Sequence, residues 1–137
     1  MQKQVDYAKA VKRKYPEQVV IAIAKDRNGK ANPITLGWTM IASHEPPMMA
    51  LFFGSRSGRE VDKFAEFECA TAPAAEIDSV LLSDAAANFE CTLESHMIAG
   101  DHVIYVGNVV AAHVNTESLG RLYTVGPGHK LGGFDAK

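Results

Sequence analysis

The chain has 137 residues, a formal net charge of −2, 47% hydrophobic residues and 22% charged residues. That length suits one domain with its own core, and the composition is that of a globular rather than a disordered chain. The chain has no basic excess of the kind that drives nucleic-acid binding. No apolar run approaches the ~20 residues of a membrane span, and residues 1–14 lack the apolar stretch of a secretory signal.

The N-terminal segment predicts a short helix. Tyr7, Val11 and Tyr15 recur every four positions, and Pro16 ends the pattern. The other side of this helix is basic, which indicates a solvated face; contact with an anionic partner is the alternative.

A β-hairpin and a third strand follow the helix. Residues 19–24 form an apolar run rich in β-branched side chains, which favours a buried strand. The Asn-Gly pair at 28–29 is a strong hairpin signal, so residues 31–42 are predicted to return as a second strand. Residues 48–53 predict a third strand that ends at Gly54.

The second half of the chain alternates between clear and ambiguous signals. Residues 59–67 predict a helix that a Ser-x-x-Glu capping box starts, and residues 77–82 predict a short strand. Strict alternation over residues 89–94 predicts a half-buried strand with Phe89, Cys91 and Leu93 facing inward.

The last forty residues contain one long strand and a glycine-rich tail. A turn at Gly100-Asp101 precedes a strand over residues 102–114, which Gly107 is expected to interrupt. The tail beyond it carries five Gly and Pro residues between positions 126 and 133 and predicts a loop. Regularly spaced strands, tight turns and few helices predict a single mainly β domain, in the form of a closed or nearly closed antiparallel barrel.

No motif of the sequence supplies catalytic chemistry by itself. There is no triad, zinc spacing or Walker loop, and Cys69 and Cys91 are too few for a disulfide framework. We therefore expect reduced thiols in a cytoplasmic protein, and no metal site. An enzyme without its own acid, base or nucleophile needs a cofactor for the difficult step.

The stretch over residues 32–40 is the most informative. It combines the amide of Asn32, the hydroxyl of Thr35, Gly37 and Trp38, the only tryptophan of the chain, on one strand after a hairpin. A planar heteroaromatic ligand needs a flat apolar wall, close backbone approach and a few fixed donors. The alternative is that Trp38 belongs to the core and Asn32 to a turn.

The order of several short motifs resembles the flavin reductase-like FMN-binding split-barrel family, and within it the flavoredoxin-type branch. The resemblance spans residues 16–115. It is carried by Asp26-x-x-Gly29-Lys30-x-Asn32, Thr35-x-x-Trp38, Glu45-Pro46-Pro47-Met48, Ser57-Gly58-Arg59-Glu60 with Lys63-Phe64, Ala87-Asn88-Phe89-Glu90-Cys91 and Gly100-Asp101-His102.

This resemblance implies a homodimeric, six-stranded antiparallel split barrel of Greek-key topology with short flanking helices, which binds FMN at the dimer interface and uses NAD(P)H as a possible co-substrate. His102 would lie near the flavin on the side where a reductant arrives, as the catalytic residue. The cofactor-binding residues that the resemblance implies are Asn32, Thr35, Leu36, Gly37, Trp38, Ser55, Arg56, Lys63 and Phe134.

The chain departs from the family pattern at one junction. In the family a helix and a strand separate the Pro-Pro strand from the Ser-Gly-Arg-Glu signature, whereas here only residues 54–56 lie between them. Ser55 or Arg56 would then be what remains of a phosphate-binding loop. Either the chain is naturally short there or a segment near residues 54–58 is missing, and the second alternative is favoured because both flanks resemble the family.

Two functions follow from the resemblance. The first is an FMN-dependent oxidoreductase that passes electrons from NAD(P)H or a redox protein through FMN to flavin, ferric iron or another acceptor. The second is a non-catalytic FMN-binding or storage module, or a dimeric barrel without cofactor. A barrel like that of the pyridoxamine-phosphate oxidases is a third possibility, but it would need more Arg and Lys than Arg56, Arg59 and Lys63 provide.

Overall fold

The computed structural model describes residues 2–54, 64, 68–117 and 120–135, and these residues form a mainly β fold of antiparallel strands. The predicted fold class is therefore confirmed, while the six-strand count of the barrel stays a prediction. The described strands are β1 (Glu17–Gln18), β2 (Val20–Lys25), β3 (Ala31–Leu36), β4 (Thr39–His44), β5 (Pro47–Gly54), β6 (Thr71–Pro73), β7 (Val80–Leu82), β8 (Ala87–Ala99), β9 (His102–Val114), β10 (Gly120–Gly126) and β11 (Lys130–Asp135).

The N-terminal helix is present but short. An α-helical turn, α1 (Tyr7–Ala10), continues into a 3-10 turn over Val11–Arg13, and Lys14 then closes it. β1 pairs with β10, and the amide of Val19 donates to the carbonyl of Leu122 at 2.9 Å. The start of the chain is thus held against the C-terminal sheet, β1-β10-β11.

The Asn-Gly hairpin forms as predicted and joins β2 to β3. The Asp26 carboxylate accepts hydrogen bonds from the amides of Asn28 and Lys30, at 2.8 and 3.0 Å. Gly29 adopts a φ of 78°, which residues with a side chain rarely adopt. The turn is therefore fixed by its own sequence.

The strand predicted over residues 31–42 is in fact two strands. β3 ends at Leu36, and the chain bends at Gly37 and Trp38 before β4 begins at Thr39. The carbonyl of Trp38 accepts a hydrogen bond from the Phe52 amide at 3.1 Å. β3 pairs with β2, whereas β4 pairs with β5 in a different sheet. The bend therefore moves the chain from one sheet to the other.

The largest sheet has the order β4-β5-β9-β8. β5 and β9 pair over seven residues without a shift, from Met48 opposite Asn108 to Gly54 opposite His102. The prediction that Gly107 interrupts β9 is wrong, because the strand runs straight through it. A Cβ at Gly107 would lie 2.9 Å from Cβ of Cys91, so glycine is required there by close packing against β8.

The inward face predicted for β8 is wrong. Phe89 is 53% exposed and Leu93 is 64% exposed, whereas Glu90 between them is 1% exposed. The β8–β9 ladder has two register shifts, at which the extra residues are Val110 of β9 and Glu94 of β8. Both Phe89 and Glu90 precede these shifts, so the strand does alternate there, but the polar Glu90 is on the inner face because the amides of residues 75–77 bind its carboxylate.

Glu90 is held as a buried anion. Its carboxylate accepts hydrogen bonds from the amides of Ala75, Glu76 and Ile77 at 2.9, 2.7 and 3.2 Å, and it lies 2.6 Å from Nε2 of His113. The Ala75 bond is the largest cause that lowers the pKa of Glu90 to about 2, against the opposing effect of burial. This carboxylate fixes the connection between β6 and β7 to the long hairpin.

The C-terminal tail is a β-hairpin, which corrects the predicted loop. β10 and β11 pair from Gly120 opposite Asp135 to Gly126 opposite Lys130. A Cβ at Gly132 would lie 2.9 Å from Cγ1 of Val125. The glycines that indicated a loop therefore belong to the hairpin. The Gly-Pro-Gly segment at residues 126–128 makes its turn, and Gly132 makes room for the side chain of Val125.

Candidate functional site

An open cleft of about 310 Å³ lies where β5 ends and β9 begins. Gly54 closes β5 directly opposite His102, the first residue of β9, and Ala99 of β8 pairs with His102 from the other side. Strand ends and their turns are where a rigid sheet presents side chains to a ligand. The cleft is lined by Phe53, Gly54, Ile98, Gly100, Asp101, His102 and Val103.

His102 is the polar centre of this cleft. Its Nδ1 lies 2.7 Å from Oδ1 of Asp101, and its side chain is 24% exposed. The hydrogen bond to His102 lowers the pKa of the Asp101 carboxyl, with the charge of an imidazolium as a second cause. The sequence presented Asp101-His102 only as an isolated pair near a turn, and the structure makes it a hydrogen-bonded pair.

Trp38 covers one face of His102. The indole and imidazole centroids are 4.8 Å apart, with 27° between the ring planes. Trp38 is 43% exposed, so it is a surface aromatic beside the cleft rather than a core residue. The bend at Gly37 and the bond from Phe52 to the Trp38 carbonyl bring this side chain over the start of β9.

A second aromatic group occupies the neighbouring part of the sheet. Phe53 packs edge-on against Tyr105 at a centroid distance of 5.3 Å, and His96 stacks on the same tyrosine at 5.8 Å. Phe53 also lines the cleft, so the aromatic packing behind it stiffens one wall.

The structure brings together two of the predicted site residues, Trp38 and His102, in direct contact. Asn32 and Thr35 lie on β3, with Asn32 half-buried and Thr35 exposed, and Gly37 leads from that strand to Trp38. Leu36 is 7% exposed, so its side chain is not available to a ligand. In the described residues β3 pairs only with β2, which leaves alternate amides of its outer edge outside the ladder.

The other predicted site residues are not tested by this geometry. Ser55, Arg56 and Lys63 lie outside the described residues, as does most of the helix predicted over residues 59–67. Phe134 pairs with Arg121 in the β10–β11 hairpin, and its side chain also lies outside the described part of the structure.

Sequence reasoning missed Gly54 as a site residue. A Cβ placed on Gly54 would lie 3.5 Å from Nε2 of His102, so the imidazole sits over the α-carbon of this glycine. Nothing in the local sequence indicates this, because the contact depends on the register between two strands nearly fifty residues apart. The Asn-Gly and Gly-Asp turns, in contrast, are local signals.

In the part of the chain that the structure describes, neither a metal cluster nor a membrane-spanning helix accompanies this site. Among the residues with a described placement, no group of three or more His, Cys, Asp or Glu side chains is arranged to hold a metal ion. Over those same ranges no helix is long and apolar enough to cross a membrane. Both cysteines are free, and burial raises the pKa of the Cys91 thiol, which opposes formation of a reactive thiolate.

Comparison with protein families gives one match. The model described as "Flavin reductase like domain" matches residues 49–128, which is more than half of the chain and includes most of β5, all of β8 and β9, and the residues that line the cleft. No curated protein shows significant similarity to the sequence.

Solved structures show that the fold is shared at low sequence identity. Flavoredoxin of Desulfovibrio vulgaris (Miyazaki F) has a TM-score of 0.74 at 15% identity, over 88% of this chain and 87% of its own. BorF, the flavin reductase component of a bacterial two-component tryptophan halogenase, has a TM-score of 0.76 at 16% identity, over 96% and 100%. The NADH:FAD oxidoreductase SgcE6 of Streptomyces globisporus C-1027, in complex with NAD and FAD fragments, has a TM-score of 0.75 at 17% identity, over 97% of each chain.

Proposed function

The chain belongs to the flavin reductase-like domain family, and from this premise we propose that it is an FMN-dependent oxidoreductase of the flavin reductase or flavoredoxin type. Electrons arrive from NAD(P)H or a redox protein and leave to free flavin, ferric iron or another acceptor. The observation that carries the proposal is the half-exposed Trp38 stacked on His102 beside an open cleft.

The residues at this site fit a flavin. A planar ring system needs an exposed aromatic wall, and 43% of Trp38 remains accessible although one side of it contacts His102. It also needs close approach to a backbone, and a Cβ at Gly37 would meet nothing within 4 Å. The flavin, when bound, supplies the two-electron and one-electron chemistry that no side chain of this site has.

Different residues of the chain are proposed to bind different parts of the flavin. Asn32 and Thr35 offer an amide and a hydroxyl from β3, and the backbone from Thr35 to Trp38 offers amides to the polar edge of the ring. Ser55, Arg56 and Lys63 are proposed for the phosphate, because a dianion favours cationic and hydroxyl partners. Phe134 is proposed to cover the ring.

His102 is the proposed catalytic residue, because its imidazole touches Trp38 and borders the cleft at the same time. The ring of His102 thus lies beside both a ligand in the cleft and a ligand on the indole. His102 can therefore orient an incoming reductant against a flavin bound at Trp38. Its two ring nitrogens also allow it to hold or pass a proton.

Association of two copies is part of the proposal. Leu93, Met97 and Ile98 on β8 are all more than half exposed. A homodimer would cover such a surface, and sedimentation at micromolar concentration would give twice the chain mass. A monomer at that concentration would refute this part of the proposal.

The alternative is a non-catalytic FMN-binding or storage module. The observation that favours it is the short junction between Gly54 and Gly58, where the family has a phosphate-binding segment. Steady-state oxidation of NADH and NADPH with added FMN distinguishes the two functions. A bound flavin that neither nucleotide reduces would favour the storage module over the reductase.

Trp38 gives a direct test of the flavin site. Because it is the only tryptophan, the indole fluorescence of the protein reports this position alone. Titration with FMN is expected to quench that fluorescence, to raise the melting temperature and to give a yellow complex. A protein that stays colourless and shows neither effect would contradict the proposal; a flavin that binds without quenching would move the site away from Trp38.

A further inference from the structure

Residues 2–16, the basic segment, carry a charge opposite to that of the rest of the chain. Five of them are Lys or Arg and one is Asp, which gives a net charge of +4. The whole chain has a net charge of −2, so the remaining residues have −6. A block of one sign attracts partners of the other sign. The proposed flavin site does not use any residue of this segment.

The basic segment is largely exposed. Neither α1 nor the 3-10 turn that follows it contains a buried residue. Val5 is 48% exposed and Tyr7 is 77% exposed. Lys12 and Arg13 are exposed, and within the part of the chain that the structure describes they form no ion pair. The segment therefore presents a cationic and partly aromatic surface that the described fold does not cover.

The basic segment leads directly to the candidate site. β1 pairs with β10, and β2 then starts at Val20, which lies opposite Leu36 of β3. Leu36 is followed by the bend at Gly37 and Trp38, and Val20 comes six residues after Lys14. An extended chain of six residues spans at most about 22 Å. A protein that docks on the basic segment would therefore lie close to the indole that is proposed to hold the flavin.

We propose that the basic segment is the docking surface for an acidic electron-transfer protein that reduces the bound flavin. The inference rests on the proposed function, because it names the kind of redox protein that supplies electrons to the same site. The electrons balance with two one-electron donors for each FMN. Each donor loses one electron and is oxidised, and FMN takes up both electrons together with two protons from solvent.

The observations favour a protein over an anionic membrane as the partner. A helix that lies on a membrane needs an extended apolar face, whereas α1 has four residues and only Val5 and Tyr7 of the basic segment expose a large apolar side chain. Anionic lipid would also repel the charge of −6 on the rest of the chain. Tyrosine and arginine are enriched at protein interfaces, where complementary charges guide association.

Binding is measured without flavin, so that it does not depend on turnover. The full chain is titrated by calorimetry with an oxidised plant-type [2Fe–2S] ferredoxin, an acidic one-electron carrier, at about 10 mM and about 200 mM salt. We expect a complex at low salt whose affinity falls at least about tenfold at the higher salt, because salt screens exposed charges. Absence of a complex at low salt, or an affinity that salt leaves unchanged, would overturn the docking surface.

A charge reversal locates the surface. Lys12→Glu combined with Arg13→Glu is expected to weaken ferredoxin binding at least about fivefold, since two modest ion pairs are replaced by repulsion. Arg27→Glu combined with Lys130→Glu is the matched control, because it changes the net charge equally at two exposed positions outside the basic segment. The affinity of this control should stay within about twofold of the wild type. Equal losses in the two variants would show that only net charge matters and would overturn the assignment.

Two other occupants of the basic segment have their own signatures. Cosedimentation of the wild type with phosphatidylglycerol vesicles, without binding to ferredoxin, would assign the segment to a membrane surface. A variant with Lys12→Glu and Arg13→Glu that sediments at half the mass of the wild type would assign the segment to a contact between two copies of the chain. Either result would overturn the proposal.

Electron transfer separates this inference from the proposed function. With FMN bound, the rate of flavin reduction by reduced ferredoxin is expected to fall at least about fivefold in the variant with Lys12→Glu and Arg13→Glu, whereas the rate with NADH stays within about twofold. Equal falls with both reductants, or reduction of the wild type by NADH alone, would overturn the partner assignment while the reductase stands. A wild type that neither reductant reduces would refute the proposed function, and the calorimetry without flavin would still decide whether an acidic protein docks.

Discussion

Replacement of Gly107 by alanine tests the packing that holds the site-bearing strand in place. The new Cβ would lie 2.9 Å from Cβ of Cys91 and 3.4 Å from the carbonyl oxygen of Thr92. Neither atom is the end of a flexible side chain, so β8 must move. Overpacking of this kind costs about 1–3 kcal/mol, and the lower entropy of the unfolded alanine chain returns about 0.4–1 kcal/mol. We expect the free energy of unfolding to fall by about 1–2 kcal/mol, which lowers the melting temperature by roughly 3–8 °C.

Thermal unfolding followed by circular dichroism measures this change. Gly126→Ala is the control, because a Cβ there meets nothing within 4 Å and only the effect on the unfolded chain remains. Cys91→Gly removes the closest atom, so the loss caused by Gly107→Ala should be smaller in the Cys91→Gly background. An unchanged or raised melting temperature in Gly107→Ala would refute the packing argument, as would a loss that the Cys91→Gly background does not reduce.

Three further predictions concern the site and its support. Trp38→Ala is expected to weaken FMN binding by at least the 0.5–1.5 kcal/mol of an aromatic contact, roughly 2–13-fold in the dissociation constant, whereas a change in stability alone would make Trp38 a packing residue. Lys63→Ala is expected to weaken FMN binding by about 1.5–3 kcal/mol if its ammonium group binds the phosphate, and an unchanged dissociation constant would remove it from the site. The pKa of Glu90 is lowered from 4.5 to about 2, so this carboxylate stabilises the fold above pH 4.5 and loses that contribution as the pH falls towards 2. Glu90→Gln should therefore lower the melting temperature at pH 7 and reduce the fall of the melting temperature between pH 4.5 and pH 2. Glu76→Gln changes an exposed side chain and should have neither effect.

The elements that the sequence predicted well are those with local causes. The turn at Asn28-Gly29 is closed by Asp26 two and four residues away, and a residue with positive φ sits in it. The turn at Gly100 has the same character, with a φ of 63°. Strands β5 and β9 were also predicted, because in each of them a turn marks one end of the strand and apolar residues make up most of its length. A window of a few residues contains all of this information.

The errors have non-local causes. Alternation placed Phe89 and Leu93 inside, but the structure exposes both side chains and buries Glu90 instead. The burial of Glu90 depends on three amides from residues 75–77, which no pattern around position 90 reveals. The glycines at 107 and 132 indicated an interruption and a loop, whereas each makes room for a side chain of the neighbouring strand.

The candidate site was predicted unevenly for the same reason. Resemblance to a family selected Trp38 and His102, and the structure places the two rings in contact. It did not select Gly54, whose role follows only from its pairing with His102. A residue without a side chain leaves no chemical signature in a sequence, so its part in a site becomes visible only through the atoms that lie over it.

The register of β5 against β9 therefore links the stability of the sheet to the chemistry of the cleft. A slip of one residue would turn His102 to the opposite face and separate it from both Trp38 and Gly54. The seven-residue ladder between these strands has no shift, whereas the ladder between β8 and β9 has two. Strain introduced at Gly107 should for that reason be taken up by β8, the edge strand, and leave the contact between His102 and Gly54 intact. Gly107→Ala is then expected to lower stability while the KM for NADH stays within about twofold, and a larger change in KM would show that the β5–β9 register is not independent of β8.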